Sequence, residues 1–310
     1  MTANNGAVQD SSLQERVIND ANSLLRQLTM LSEFSITKQN NHPATIAIRS
    51  PFHYIYSEQQ RDIFIDKFVQ ATQVLARSAR TYKCLIVGAG VNPYFTDSSE
   101  QPLALCSDIH QIEVLDDGEV ERTYNLFRQF LPELLALSAN SSVYGRTIQR
   151  DFSARMRVNP SSFLPRYISQ FSAEHLRRLE RMMRKDYGLR DLREMDINPL
   201  VGNLSAEYSS GERPAVEIRF VDAQCSYAFI RAQIILFQAI AIYGRTLSRK
   251  GKRLPYMRDE VIDENKALAI KGGASAVLKA DSKFAKSNAK QGYWYHDRGK
   301  ANEQPLPCCL

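Results

Sequence analysis

No uninterrupted apolar run in this chain approaches the roughly 20 residues needed to span a bilayer. The opening MTANNGAVQDSS has neither the basic nor the apolar stretch of a signal peptide. A soluble, cytoplasmic protein with no membrane partner is therefore expected. Cysteine is scarce, five in 310 residues, and no spacing suits a zinc site or a disulfide framework. Cys84, Cys106 and Cys225 stand in apolar or strand-like settings, where a free thiol usually behaves as a small buried hydrophobe. The terminal PCCL places Pro307 where a prenylation signal needs cysteine. VGAGVNPY follows a predicted strand but lacks the third glycine of a dinucleotide loop. It also puts Pro93 where the helix would open, so a strand-end turn is expected. No internal repeat is visible.

The remaining composition is that of an ordinary globular chain, with 44% hydrophobic and 24% charged residues. A net charge of +6 permits an anionic ligand without requiring one. Much of the excess is local, in HLRRLERMMRK from His175 to Lys185 and in KGKR from Lys250 to Arg253. A solvated helix face explains the first more simply than a nucleic-acid surface. Tyr293, Trp294 and Tyr295 in YWYHDR have faces on which bases could stack, but docking on the protein body is the plainer reading. A nucleic-acid partner is not expected.

Helical periodicity marks Ser12 to Phe34, Glu58 to Arg80, Glu119 to about Leu137, Tyr227 to Leu247 and Arg258 to Leu278. Strand patterns mark TIAIRSP, KCLIVGAG, DIHQIEV and AVEIRFVD, while Arg150 to Leu200 reads as mostly helical and basic. Several strands alternate apolar with polar residues, which suggests an α+β layer rather than a buried parallel sheet. No boundary stands out within residues 1–280, so one domain is expected there, followed by a loosely ordered tail over 281–310.

AVEIRFVDAQ, from Ala215 to Gln224, carries an acid and a base inside a strand. Strand alternation puts Val216, Ile218 and Phe220 on one face and Glu217 with Arg219 on the other. Either a solvated face or a metal or phosphate site accounts for the pair. His110 shares a face with Ile112 and Val114, where a satisfied core histidine is the plainer reading, while Gln111 and Glu113 point the other way. In the loop SANSSVYGRTIQRDFSAR, Arg146 and Arg155 have the planar fork that suits a carboxylate or phosphate.

Taken in order, these segments resemble the glutamate–cysteine ligase family, in its bacterial and plant-type branch that includes the carboxylate–amine ligases. LPELLALSANSSVYGR resembles the family's LP-x-LLALSANSP helix and loop, with Ser153 and Arg155 of DFSAR at its ASxR element. VEIRFVDAQ resembles TVEFRVCDAQ, and ENKALAIKGGASAVL more loosely resembles ENRWRAARYGLDA. LIVGAGVNP and DIHQIEV stand where the family has a strand ending in GTHP and an HVHV strand. The resemblance covers about residues 45 to 280. It implies a curved, mainly antiparallel sheet with helices on its outer face, a glutamine-synthetase or glutamate–cysteine-ligase-like cradle. It also implies magnesium- and ATP-dependent amide formation, of gamma-glutamyl type, between a small amino-acid-like carboxylate and an amine, through an acyl phosphate.

Carried over residue by residue, the resemblance makes Glu217, His110 and Glu113 the metal ligands. Arg219 and Arg155 become the catalytic cations, and Arg146, Ser153 and Arg219 the contacts to substrate or phosphate. It also implies a possible homodimer. The family's opening G-x-E-x-E strand has no counterpart, because the first 40 residues read as a polar lead and a helix. Ala47 stands where the family's VELRTP strand has glutamate, and one of its two histidines is missing. The expectation is a shortened, diverged ligase with an altered metal site; the alternative is a homologue that keeps the fold for binding, regulation or ATP-independent chemistry.

Overall fold

The computed structural model describes residues 11–38, 45–51, 57–94, 96, 106–114, 117–158, scattered positions between 174 and 188, 197–200, 214–252, 254 and 256–280. The proposed tail over 281–310, with YWYHDR, lies outside them. Where sequence reading placed no boundary, the chain groups into two compact units, Met1–Gly88 with Cys225–Arg231, and Ala89–Gln224 with Ala232–Leu310. Mixed helix and short antiparallel sheets agree with an α+β class.

The first unit packs helix α1 (Ser11–Gln27) and helix α2 (Glu58–Thr81) around a hairpin of β1 (Ser35–Lys38) and β2 (Ile46–Arg49). The helix expected from Ser12 to Phe34 stops at Gln27, and Thr29–Leu31 forms one 3-10 turn. The reason is tertiary. Leu31, Phe34 and Ile36 are buried in the core of this unit only because the chain folds back. Asn22 then holds the returning strand by its backbone, its Nδ2 donating to the Ile36 carbonyl (2.7 Å) and its Oδ1 accepting from the Ile36 N–H (2.9 Å). Helix α2 begins where expected, because the Ser57 side chain accepts from the N–H of Gln60. KCLIVGAG forms no strand: residues 84–89 join no ladder, and Leu85 is 75% exposed. Apolar composition satisfies a strand only when a neighbour supplies its hydrogen bonds.

The second unit is built on an antiparallel sheet in the order β3 (His110–Glu113), β7 (Ala215–Ile218), β6 (Ile197–Leu200), beside the small hairpin β4 (Val143–Tyr144) and β5 (Thr147–Ile148). Strand β6 falls at the end of the segment expected to be helical, and pairing with β7 decides its state. The register aligns His110 and Ile197 with Ile218, Ile112 and Pro199 with Val216, and Gln111 and Asn198 with Glu217. Ile112, Val216, Ile218 and Ile197 belong to one apolar core, with Tyr124 and Phe127 of α3 (Asp117–Gln129) and Phe237 and Ile240 of α6 (Tyr227–Arg249).

The single helix expected from Glu119 to Leu137 is two, α3 and then α4 (Leu131–Ser138), parted at Phe130. Pro132 lies in the first turn of α4 and has no N–H to give to a helix running through. Helix α4 packs against α7 (Asp259–Gly272), and α3 is tied to its start by the ion pair of buried Arg128 with Asp259. A short helix, α5 (Ala154–Val158), follows the hairpin. Helix α6 is long and apolar enough to cross a membrane by length and composition, although Arg231 and Arg245 interrupt it. Arg177, Arg181, Arg184 and Lys185 of the basic segment are helical and exposed.

Candidate functional site

Strand alternation puts Gln111 and Glu113 of β3 on the same sheet face as Glu217 of β7, away from the apolar core. Glu217 is only 3% exposed, and both of its oxygens are used. Gln111 Nε2 donates to Oε2 (2.8 Å), and Arg219 guanidinium donates to Oε1 (3.1 Å). A buried carboxylate is tolerated on such terms, with a cation and a neutral donor replacing water. The acid and base in AVEIR are therefore partners of each other.

His110 does not join them. It points to the opposite face, edge-on to Phe237 with ring centroids 4.6 Å apart. Burial depresses its pKa from 6.5 to about 4, opposed by a hydrogen bond with Gln233, so the ring is neutral at ordinary pH. The three expected metal ligands thus divide by strand parity: Glu217 and Glu113 share a face, and His110 belongs to the core. Among the described residues no group of three or more His, Cys, Asp or Glu side chains stands together to hold a metal ion.

Arg155 and Ser153 meet at a second polar centre, whose hub is Asp222. This carboxylate is fully buried and accepts four donors: the Asn140 N–H (2.8 Å) and Ser141 Oγ (2.7 Å) on Oδ2, and Ser153 Oγ (3.1 Å) and Arg155 Nε (2.7 Å) on Oδ1. The Arg155 guanidinium also donates to the Phe220 carbonyl (2.6 Å). Gln224 Nε2 donates to the Ser138 and Asp222 carbonyls, both at 2.8 Å. The two ends of one loop, SANS and FSAR, and the distant VDAQ are therefore parts of one hydrogen-bonded knot. The late helix α7 joins through its Ile270 carbonyl, which accepts from the N–H groups of Phe152 and Ser153.

Gly90 closes the knot from the other side. A β-carbon there would lie 2.8 Å from the Asp222 carboxyl carbon and 2.9 Å from Ser141 Cβ. Gly90→Ala is expected to destabilise this unit by about 1–3 kcal/mol, measured by urea unfolding. An unchanged midpoint would show that the loop yields freely.

Asp108 lies beside the hub. Its carboxyl accepts from the Gln224 N–H (3.2 Å), and its neighbour Ser107 bridges Asp222. Burial raises its pKa from 3.8 to about 7, with the Asp222 charge adding to the rise and Gln224 and Arg155 opposing it. The sequence reading named neither Asp108 nor Gln111 as a site residue. The repeated Asp and Gln of SDIHQ and VDAQ were the only available signal. Arg146 stands apart on the exposed turn between β4 and β5, with φ 63° after Gly145 at φ 57°. Its backbone N–H donates to the Pro93 carbonyl (2.9 Å). Cys225, expected among buried thiols, is exposed, while Cys84 and Cys106 are half-buried. No protein-family model matches the chain, and no curated protein matches it.

Proposed function

We propose that the chain is an ATP- and magnesium-dependent carboxylate–amine ligase with a reduced metal site. The observation that carries this reading is the buried Glu217, paired with Arg219 and flanked in register by Gln111, on the polar face of an antiparallel sheet. Magnesium takes oxygen ligands and is commonly held by one or two carboxylates, with water and substrate phosphates filling the rest. Glu217 and Glu113 supply that minimum, and His110 has no part in it. When bound, the ion would offset the charge of the triphosphate.

The chain's own residues would orient the reactants. A substrate carboxylate oxygen attacks the γ-phosphorus of ATP, and ADP leaves. The amine then attacks the acyl carbon, phosphate departs, and the amine proton passes to solvent. Arg219 is suited to compensate the transferring phosphoryl charge, because swinging off Glu217 would free both a cation and a carboxylate at once. Arg155 and Ser153 would act by holding the loop through Asp222 rather than by touching substrate. That commitment of Arg155 and Ser153 to Asp222 also favours a second reading, a protein that keeps this fold to bind or regulate.

Melting in millimolar magnesium and ATP separates the two. A ligand at roughly 100 times its dissociation constant should add about 2.7 kcal/mol to the folded state. The ligase reading requires a magnesium-dependent rise in Tm that Glu217→Gln abolishes. A folded protein whose Tm ignores both would move the conclusion to the second reading.

A further inference from the structure

The hairpin of β4 and β5 is fixed at its base and open along its sides. Both of its roots, Ser141 and Ser153, donate to the buried Asp222. The Gln149 N–H donates to the Ser142 carbonyl (2.6 Å), and the Gln149 side chain braces the Tyr144 and Thr147 carbonyls. The two-residue turn, Gly145 and Arg146, has both φ values positive, the form that matches the twist of a hairpin. Glycine takes the second of those positions without strain, whereas an arginine there costs stability. The chain carries arginine all the same, and its N–H is tied to the Pro93 carbonyl (2.9 Å). Backbone strain kept on an exposed turn points to a use for the side chain.

The surroundings of that arginine narrow the use. Val143 and Ile148 are cross-strand partners, so they share one face of the hairpin. Both are exposed, Ile148 at 81%. Phe152, where the arm returns, is exposed too and packs on the bare backbone of Gly273. Arg146, Arg150 and Lys271 are likewise exposed. Lys271 follows Ile270, whose carbonyl accepts from the Phe152 N–H. Among the described residues none of these three cations forms an ion pair, and the neighbouring Asp151 is taken by Arg157.

We propose that this arm is a docking surface for an acidic, extended segment of another protein. An apolar side chain of that segment would sit on Val143 and Ile148, between carboxylates that meet Arg146, Arg150 and Lys271. Charge complementarity selects the occupant, and the apolar pair refines it. A small carboxylate would use the cations alone and leave the apolar pair in water. A nucleic-acid strand would lay phosphates over methyl groups, on a face with no ring for a base to stack on. A membrane would be met first by Arg146 at the turn, with Ile148 held behind it. Gln149 already occupies the Thr147 carbonyl, so side chains rather than strand addition carry the contact. Because the arm is ordered in advance, binding costs it little conformational entropy, and micromolar affinity is expected from so small a surface. The inference does not rest on the ligase reading, since Glu217, Arg219 and Gln111 take no part in it.

Selection of random displayed peptides on the full chain tests it without naming the partner in advance. The expected result is enrichment of peptides in which aspartate or glutamate brackets a leucine, isoleucine or phenylalanine. Fluorescence anisotropy of the most enriched peptide should show binding weakened at least tenfold by Ile148→Asp and by Arg150→Glu, and weakened by added salt. Ile63→Asp, at an exposed apolar position of the first unit, should leave binding unchanged. Arg146→Gly separates docking from folding: it should raise Tm by relieving the left-handed turn, yet weaken the same peptide. No enrichment, enrichment without acidic residues, or binding indifferent to these three variants of the arm would overturn the proposal. Binding of phosphatidylglycerol vesicles or single-stranded RNA, with no peptide enriched, would assign the arm to a lipid or a nucleic acid and overturn it as well.

Discussion

Asp222→Ala is expected to lower stability by about 3–5 kcal/mol, because it leaves the buried Arg155 guanidinium without its counter-ion. Arg155 has a side chain only 5% exposed and Asp222 none, so water cannot take over the lost contact without opening the unit. Three further donors, from Asn140, Ser141 and Ser153, lose their acceptor in the same step. Each buried donor left alone adds its own desolvation cost. Asp222→Asn preserves the shape and an acceptor oxygen, but not the charge, and should fall between the parent and the alanine variant. Arg155→Met in the Asp222→Ala background removes the stranded cation and should recover part of the loss.

Urea unfolding followed at separate probes in the two compact units is the suitable measurement, since a two-unit chain need not unfold in one step. The loss should appear in the transition of the second unit alone. A loss below about 1 kcal/mol would mean that Arg155 finds another partner, and that the knot does not hold the three motifs together.

The second large effect is a pair of opposed pH dependences from residues two apart in sequence. Asp108 has its folded pKa raised from 3.8 to about 7 by burial. The folded state therefore keeps a proton that the unfolded chain gives up above pH 3.8. Its contribution is fully favourable below 3.8 and is lost as pH rises towards 7, by up to about 4 kcal/mol at 1.36 kcal/mol per unit. His110 does the reverse. Its folded pKa is depressed from 6.5 to about 4, so the unfolded chain takes up a proton first as pH falls. Stability from His110 is complete above 6.5 and declines by about 3 kcal/mol on the way down to 4.

Between pH 4 and 6.5 the two slopes nearly cancel in the native chain. Asp108→Asn should expose the histidine slope, so that stability climbs with pH by about 1.4 kcal/mol per unit in that window. His110→Leu should expose the opposite one, with stability falling as pH rises. Denaturant midpoints at several pH values for the three proteins give the answer. Parallel profiles would show that neither group is buried in the state that unfolds.

By itself the sequence determined what depends on near neighbours. Helical periodicity located α2 and α6 and the start of α7, because an apolar face repeating every 3.6 residues is a local property, but α7 stops at Gly272, short of the expected Leu278, where Gly273 turns at φ 51°. Strand parity put Glu217 with Arg219 on one face of their strand and Glu113 opposite His110 in theirs, because alternation holds for any strand regardless of its partners; only the β3–β7 register put Glu113 on the Glu217 face and left His110 out. Tertiary structure decided everything that needs a distant partner. KCLIVGAG has the composition of a strand but no ladder, and INPL at the end of a helical-looking segment is a strand because β7 lies beside it. Helix α1 ends at Gln27 because burying Leu31, Phe34 and Ile36 requires the chain to turn back. Arg155 and Ser153 were legible as polar residues in a loop, but not as donors to Asp222, about 70 positions on. A carboxylate's partners are set by which groups folding carries into a water-free space, and spacing along the chain does not encode that.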